Sequence, residues 1–379
     1  MTVYEGGKDG YPTYRIPAIV RASDQSLLLF AEARQGGDAS QIDLVVKRSK
    51  DNGRTWGPLQ VVVGHERFRT DYTAETTITA GNPAPVVLTH GSHRGRILLP
   101  FTVENARVFV TYSDDNGLTW SDHREITENV RREDWGWYAL GPVHSIELRH
   151  AQYSGRIVVP ANHRIGEPGK DDGPYGSHML ISDDAGANWR LGAIDSTYTD
   201  PLNANETSVV ERPDGSLYSN TRNNRSKMPE TRGDAVSCDG GETYAVRPGK
   251  LHPFAPSHYM LDPPVVQSSL LGFELSGEEQ LLAFAGPDSD GPSGPGRSDM
   301  ALRHSFDGGE TWEDLILISA GPAAYSDMVR ISESAIGLAF ETGETEPYER
   351  IDFVPVELST RFLAQANYKS SGQYFTCPR

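Results

Sequence analysis

Three arginines define the chemistry this sequence can offer. Arg15, Arg222 and Arg297 stand at corresponding ends of strand-like runs in separate parts of the chain. If the fold brings those ends to one point, three planar guanidiniums surround it. Such a cluster suits a single carboxylate, held by forked, charge-assisted hydrogen bonds that lysine does not supply. The chain has 35 Lys+Arg against 52 Asp+Glu, a net charge of −17. An anionic ligand must therefore find a local basic cluster against an unfavourable overall field, and non-specific binding to nucleic acid or an anionic membrane is disfavoured. Two other residues extend the chemistry. Tyr325 is a phenol with an ordinary pKa of about 10, a poor nucleophile at neutral pH unless a base sits beside it. Asp38 lies in a loop with Gly36 and Gly37, which can fold over a ligand.

The elements that position these residues follow from a repeat. The pattern Ser-x-Asp-x-Gly-x-(Thr/Asn)-(Trp/Tyr) starts at Ser49, Ser113, Ser182, Ser237 and Ser305, at intervals of 64, 69, 55 and 68 residues. Each copy follows a short β-prone run, and a second such run lies upstream. Strands of this length between Gly/Asp/Asn turns read as antiparallel hairpins. Within the repeat, Asp accepts backbone N–H groups across the turn, Gly takes positive φ, and the aromatic ring buries between adjacent strands. About four strands per roughly 60 residues is one propeller blade. The expectation is an all-β, six-bladed propeller of four-stranded antiparallel blades, with residues 1–379 as one domain. The 38 glycines and 25 prolines suit such a turn-rich fold. The repeats read as structural, because a site occurs once and the turn recurs. Cys238 and Cys377 are too few for a disulfide framework or a four-ligand zinc site. No apolar run approaches the ~18 residues of a membrane span. The start, MTVYEGGKDG, shows no leader pattern, so the expected location is the cytoplasm, without membrane insertion.

Tyr14-Arg15-Ile16-Pro17 followed by five such turns resembles the sialidase (neuraminidase) family of Asp-box propellers. The resemblance covers essentially the whole chain. Glu32-Ala33-Arg34 with Asp38, Gly81-Asn82-Pro83, Asn205-Glu206-Thr207, Asn220-Thr221-Arg222, Tyr325-Ser326-Asp327-Met328 and Phe340-Glu341 match family segments in order. Tyr138 to Pro142 resembles another, with Val143 in place of the usual glycine.

The resemblance implies roles. Arg15, Arg222 and Arg297 bind a sialic acid carboxylate. Tyr325 is the nucleophile, with Glu206 as its base and the arginines favouring phenolate; a phenol avoids the repulsion a carboxylate nucleophile meets beside the substrate's own carboxylate. Asp38 is the acid/base, and its rival Asp43 begins a strand. Glu341 orients Arg15, Arg34 contacts a ring hydroxyl, and Asn82 lines an N-acyl pocket. His163 either faces the polyol tail or is a turn histidine. Arg303, the competitor of Arg297, lies in the strand before a repeat and reads as a blade residue. The implied activity is a retaining exo-α-sialidase acting on sialylated glycans, glycoproteins or gangliosides, with no cofactor or metal. The alternatives are a hydrolase of another 2-keto acid sugar such as Kdn, a trans-sialidase, or a non-catalytic glycan-binding propeller. Joint retention of Asp38, Glu206 and Tyr325 argues against the last.

Overall fold

The structure, a computed structural model, describes residues 1–167, 172–198, 202–224, 232–275, 280–288, 296–358 and 375–377. After β1 (Thr2–Glu5), the first sheet is the meander β2 (Thr13–Arg21), β3 (Leu27–Arg34), β4 (Ile42–Ser49) and β5 (Gln60–Val63). In the second sheet β6 (Ala80–Gly81) and β7 (Val86–Val87) both pair with β8 (Ile97–Val103), followed by β9 (Arg107–Ser113) and β10 (Arg124–Glu125). The third repeats this plan: β11 (Trp135–Leu140) and β12 (Ile146–Glu147) share β13 (Ile157–Ile165), then come β14 (Tyr175–Ser182) and β15 (Arg190–Ile194). The fourth holds β16 (Ala204–Glu211), β17 (Leu217–Asn223), β18 (Arg232–Ser237) and β19 (Ala255–Pro256).

The last sheet runs through β20 (Ser269–Glu274), β21 (Gln280–Pro287), β22 (Ser298–Ser305), β23 (Glu313–Arg330), β24 (Ala335–Thr342) and β25 (Arg350–Glu357), and β1 completes it by pairing with β25. The 18-residue β23 pairs with β22 through its first part and with β24 through its second. Four strands per unit is therefore not uniform: the second and third sheets have five, because their innermost strand is split in two. Among the described residues the only α-helix is the single turn Thr127–Val130.

Side chains facing outward from each sheet's two faces pack sheet upon sheet. Phe30 and Val46 of the first meet Leu99 and Phe101 of the second. Successive clusters continue around the molecule, and Tyr4, Leu29 and Phe353 pack the last sheet back on the first, giving a closed, propeller-like arrangement. Within the last sheet, Leu281 and Leu302 on one side of β23 face Leu338 and Phe340 on the other. Because both faces are covered, the middle strand β3 is buried along its whole length and reads LLLFAEAR instead of alternating.

Register separates the two ends of each sheet. In the first, Thr13, Arg34 and Ile42 align at one end, whereas Arg21, Leu27 and Ser49 align at the other. The repeated turn follows Ser49, so it lies opposite Arg15 and Arg34. In it the Gly53 N–H donates to Ser49 Oγ at 2.8 Å and the Thr55 N–H to Asp51 Oδ1 at 2.8 Å. The same bonds recur at Ser113, Ser182, Ser237 and Ser305. The aromatic residue packs on the preceding sheet instead of between strands of its own: Trp120 meets Phe30 at 5.7 Å and Trp56 meets Phe353 at 5.4 Å. The two cysteines form one disulfide, Cys238–Cys377, tying residue 377 to the fourth turn.

Candidate active site

The innermost strands lose their regular pairing where the chemistry gathers. Register breaks fall between Arg15 and Ala18, between Ala204 and Thr207, and between Ala323 and Ser326. These bulges carry Arg15, Glu206 and Tyr325; an extra residue re-aims a side chain that a regular strand would point at a neighbouring sheet. At the first break Ile16 sits at φ 59, a left-handed conformation costly for a β-branched residue. Its N–H donates to Glu341 Oε1 at 2.8 Å.

Glu341, fully buried, organises this corner. Arg15 donates to it twice, from Nε at 2.9 Å and Nη2 at 3.0 Å, and the Tyr325 N–H donates at 3.2 Å. One carboxylate thus fixes both the guanidinium and the backbone of Tyr325. On the other side, the Tyr325 hydroxyl donates to Glu206 Oε1 in a short contact. Arg222 Nη1 reaches Glu206 Oε2 at 2.8 Å and the Tyr325 hydroxyl at 3.2 Å. Arg15 and Arg297 lie over the Tyr325 ring, 4.9 and 5.7 Å from its centroid. The arginines do not leave the phenol ionised. Burial pushes its pKa up, the Glu206 carboxylate adds to that, and the three arginines only partly offset it. The arginines act in the expected direction, toward phenolate, but burial and Glu206 outweigh them, and the phenol directs its proton at Glu206.

Arg34 is held by Glu32, with Nε donating at 2.9 Å, and Glu32 Oε1 also accepts the Asn82 N–H at 2.7 Å. Arg34 Nη1 makes a short ion pair with Asp38, whose Oδ1 lies 3.4 Å from Arg15 Nη1. The Asp38 side chain is 83% exposed, the freest of these groups. Partial burial pushes its pKa up, but Arg34, Arg15 and Arg297 outweigh that and hold it below the usual carboxylate value.

Arg15, Arg34, Asp38, Arg222, Arg297 and Tyr325 line one cavity of about 890 Å³. A side recess of about 260 Å³ shares Arg15, Arg34, Asp38 and Tyr325 and is closed by Glu32, Asn82, Thr102 and Trp137. Asn82, at φ 54, accepts at Oδ1 from Thr102 Oγ1 at 2.8 Å and Asn105 Nδ2 at 3.0 Å.

The rejected rivals lie elsewhere. Asp43 accepts from the Tyr11 hydroxyl and the His65 N–H, both at 2.6 Å. Arg303 is buried and pairs with Asp262 and Asp288. His163 does not face the cavity: it is buried, stacks on Trp135 at 3.9 Å and bonds the Tyr198 hydroxyl at 2.8 Å. Part of the Gly/Pro-rich run before Arg297, residues 289–295, lies outside the described residues. Several lining residues had no assigned role from sequence, among them Glu32 and Trp137 in the recess and Tyr348 in the larger cavity. Glu32 could have been found, since it shares a strand face with Arg34 two residues on, inside an otherwise apolar run. Trp137 and Tyr348 gave no such signal.

The family model described as BNR repeat-like domain matches residues 25–338. A sialidase of Micromonospora viridifaciens is 29% identical over 356 residues, covering 89% of this chain; the chain spans about half, 51%, of that relative's length. Among solved structures, the Hadza microbial sialidase Hz136 superposes with a TM-score of 0.77 at 24% identity, covering 94% of this chain and 68% of its own. The intramolecular trans-sialidase of Ruminococcus gnavus superposes with a TM-score of 0.74 at 16% identity, covering 96% and 98%. The repeat, the propeller-like ring and the match over residues 25–338 lead to one conclusion: the chain belongs to the sialidase family of BNR repeat-like domain proteins.

Proposed function

We propose that the chain is a retaining exo-α-sialidase, built as one six-bladed propeller domain spanning 1–379. The seven-stranded sheet counts as two blades sharing β23, and each blade outside it supplies one or two broken inner strands. The contact that carries the reading is Tyr325 hydroxyl to Glu206 beneath three convergent arginines. A sialoside bears its carboxylate on the anomeric carbon, so a clamp for that group brings the carbon to the phenol. Tyr325 attacks while Glu206 takes its proton, and Asp38 protonates the departing oxygen. Water, deprotonated by Asp38, then displaces the tyrosyl oxygen, and two inversions give net retention. Asp38 held ionised by Arg34 and Arg15 is no acid. The substrate carboxylate neutralises part of that cluster, and the Asp38 pKa rises when the acid is needed.

The substrates are sialylated glycans, whether free, on glycoproteins or on gangliosides, and no cofactor or metal enters the scheme. The Cys238–Cys377 disulfide favours an oxidising compartment over the cytoplasm. The likeness to an intramolecular trans-sialidase supports a second reading, transfer in place of hydrolysis, by the same tyrosyl intermediate.

A fluorinated, slowly turned-over sialyl donor tests the scheme. Peptide mass mapping is expected to find the sugar on Tyr325. Label on Glu206 reassigns the nucleophile, and no label on the active protein removes the covalent route. Analysis of the released sugar separates hydrolysis from transfer.

A further inference from the structure

The three arginines are not anchored alike. Arg15 donates twice to Glu341, and Arg222 to Glu206. Arg297 is different. Among the described residues it donates from Nη1 to the Tyr348 hydroxyl at 2.6 Å and from Nη2 to the Val265 carbonyl at 3.5 Å, both neutral acceptors. Tyr348 lies between β24 and β25 on the wall of the larger cavity. Its ring also faces Arg15, whose guanidinium carbon stands 4.2 Å from the centroid. Arg15 is thereby flanked by the rings of two tyrosines, Tyr325 and Tyr348.

We propose that Tyr348 is a positioning residue of the carboxylate clamp, holding Arg297 through its hydroxyl and Arg15 through its ring face. A carboxylate anchor on Arg297 would spend charge that the ligand's own carboxylate needs; a phenol fixes the guanidinium and leaves its charge directed into the cavity. The proposal rests on the sialidase reading for the ligand, not for the geometry. Tyr348 acts through two arginines, so its contribution falls on binding of the acid. The ring and the hydroxyl do separable work.

The test compares wild type with Tyr348→Phe and Tyr348→Leu, by kinetics on an aryl α-sialoside and its methyl ester and by crystal structures of the unliganded variants. Tyr348→Phe is expected to raise KM for the acid about 5–20-fold, toward the low end for a hydrogen bond to a charged group in a half-open site. Its kcat should stay within about twofold, and the preference for acid over ester should shrink by the same factor. Tyr348→Leu should raise KM further, because Arg15 loses its ring contact. In the Tyr348→Phe crystal Arg297 should leave its position. Arg297 unmoved there overturns the proposal, as does a lowered kcat with unchanged KM and acid preference. If the wild type cleaves no sialoside, the sialidase reading fails, and the position of Arg297 alone then decides the role of Tyr348.

Discussion

The repeated turns and the cavity sit at opposite ends of the same strands and are held by opposite kinds of bond. At the turns the hydrogen bonds close within four residues, as from Gly53 to Ser49 and from Thr55 to Asp51. At the cavity local pairs such as Arg34 with Asp38 are joined by long-range ones: Arg15 meets Glu341 across 326 positions, and Tyr325 meets Glu206 across 119. The turn end is a local solution repeated five times. The cavity end is assembled once, and its joins between Arg15 and Glu341 and between Tyr325 and Glu206 form only when the ring closes. Mutations at the two ends should therefore separate activity from stability.

Tyr325→Phe should have the largest effect. It is expected to lose about 10⁴-fold or more in kcat, as removal of a nucleophile from a concerted site does, with an unchanged melting temperature. A loss under tenfold would mean that the phenol is not the attacking group.

Asp38→Ala comes next. On sialyl-lactose it should lose about 10²–10⁴-fold, the usual span of general acid catalysis. On a nitrophenyl sialoside the first step should lose much less, and a burst of nitrophenol should precede slow turnover. Equal losses on both substrates without a burst would make Asp38 a positioning residue.

Arg15→Ala should raise KM and lower kcat, by about 10–150-fold together, the value of a charge-assisted bond to a carboxylate. The intact enzyme should turn over the methyl ester poorly. If acid and ester are equivalent, the cavity does not clamp a carboxylate.

At the other end, Gly117→Ala should leave kcat and KM unchanged but lower the melting temperature, by roughly 2–6 °C for a chain of this length. Gly117 sits at φ 80, and an added Cβ would fall 2.2 Å from Leu28 Cδ2. Left-handed strain and overpacking each cost about 1–3 kcal/mol. Loss of activity at a temperature where this variant is folded would break the division between the ends.

The smallest effect is a pH dependence of stability. Burial, with Arg132 nearby, pushes the His163 pKa down to about 3. His163 is neutral in the fold, while the unfolded chain takes up a proton below its ordinary value of about 6.5. Its contribution is complete above that value and is lost as pH falls toward about 3. Urea midpoints of wild type should decline over that window, and His163→Phe should decline less steeply. Parallel curves would place the acid sensitivity elsewhere.

Legibility in the sequence follows the same division. The repeat at Ser49 and its four copies, with apolar runs before them, was sufficient for antiparallel sheets and a propeller-like ring, because those bonds are local. Arg15, Arg222, Asp38, Glu206 and Tyr325 are legible from motifs, and Asp43 and Arg303 read as blade residues from their strand positions. The split of two inner strands was not visible, since it depends on what neighbouring sheets leave room for. His163 was left open between cavity and turn, and only the stack on Trp135 decided it. Tyr348 carried no pattern at all.

Composition, turn spacing and motif residues determined by themselves that this chain forms stacked antiparallel sheets and offers three arginines, a phenol and two acids as a candidate site. They did so because hairpin turns, strand periodicity and residue chemistry are properties of a few consecutive positions. Only the tertiary structure decided that the Tyr325 hydroxyl meets Glu206, that Asp38 sits between Arg15 and Arg34, which hold its pKa low, that Arg297 leans on Tyr348, and that Cys238 reaches Cys377. Those contacts join strands, loops and sheets that come together only when the chain folds around a common centre, so no short stretch of sequence fixes them.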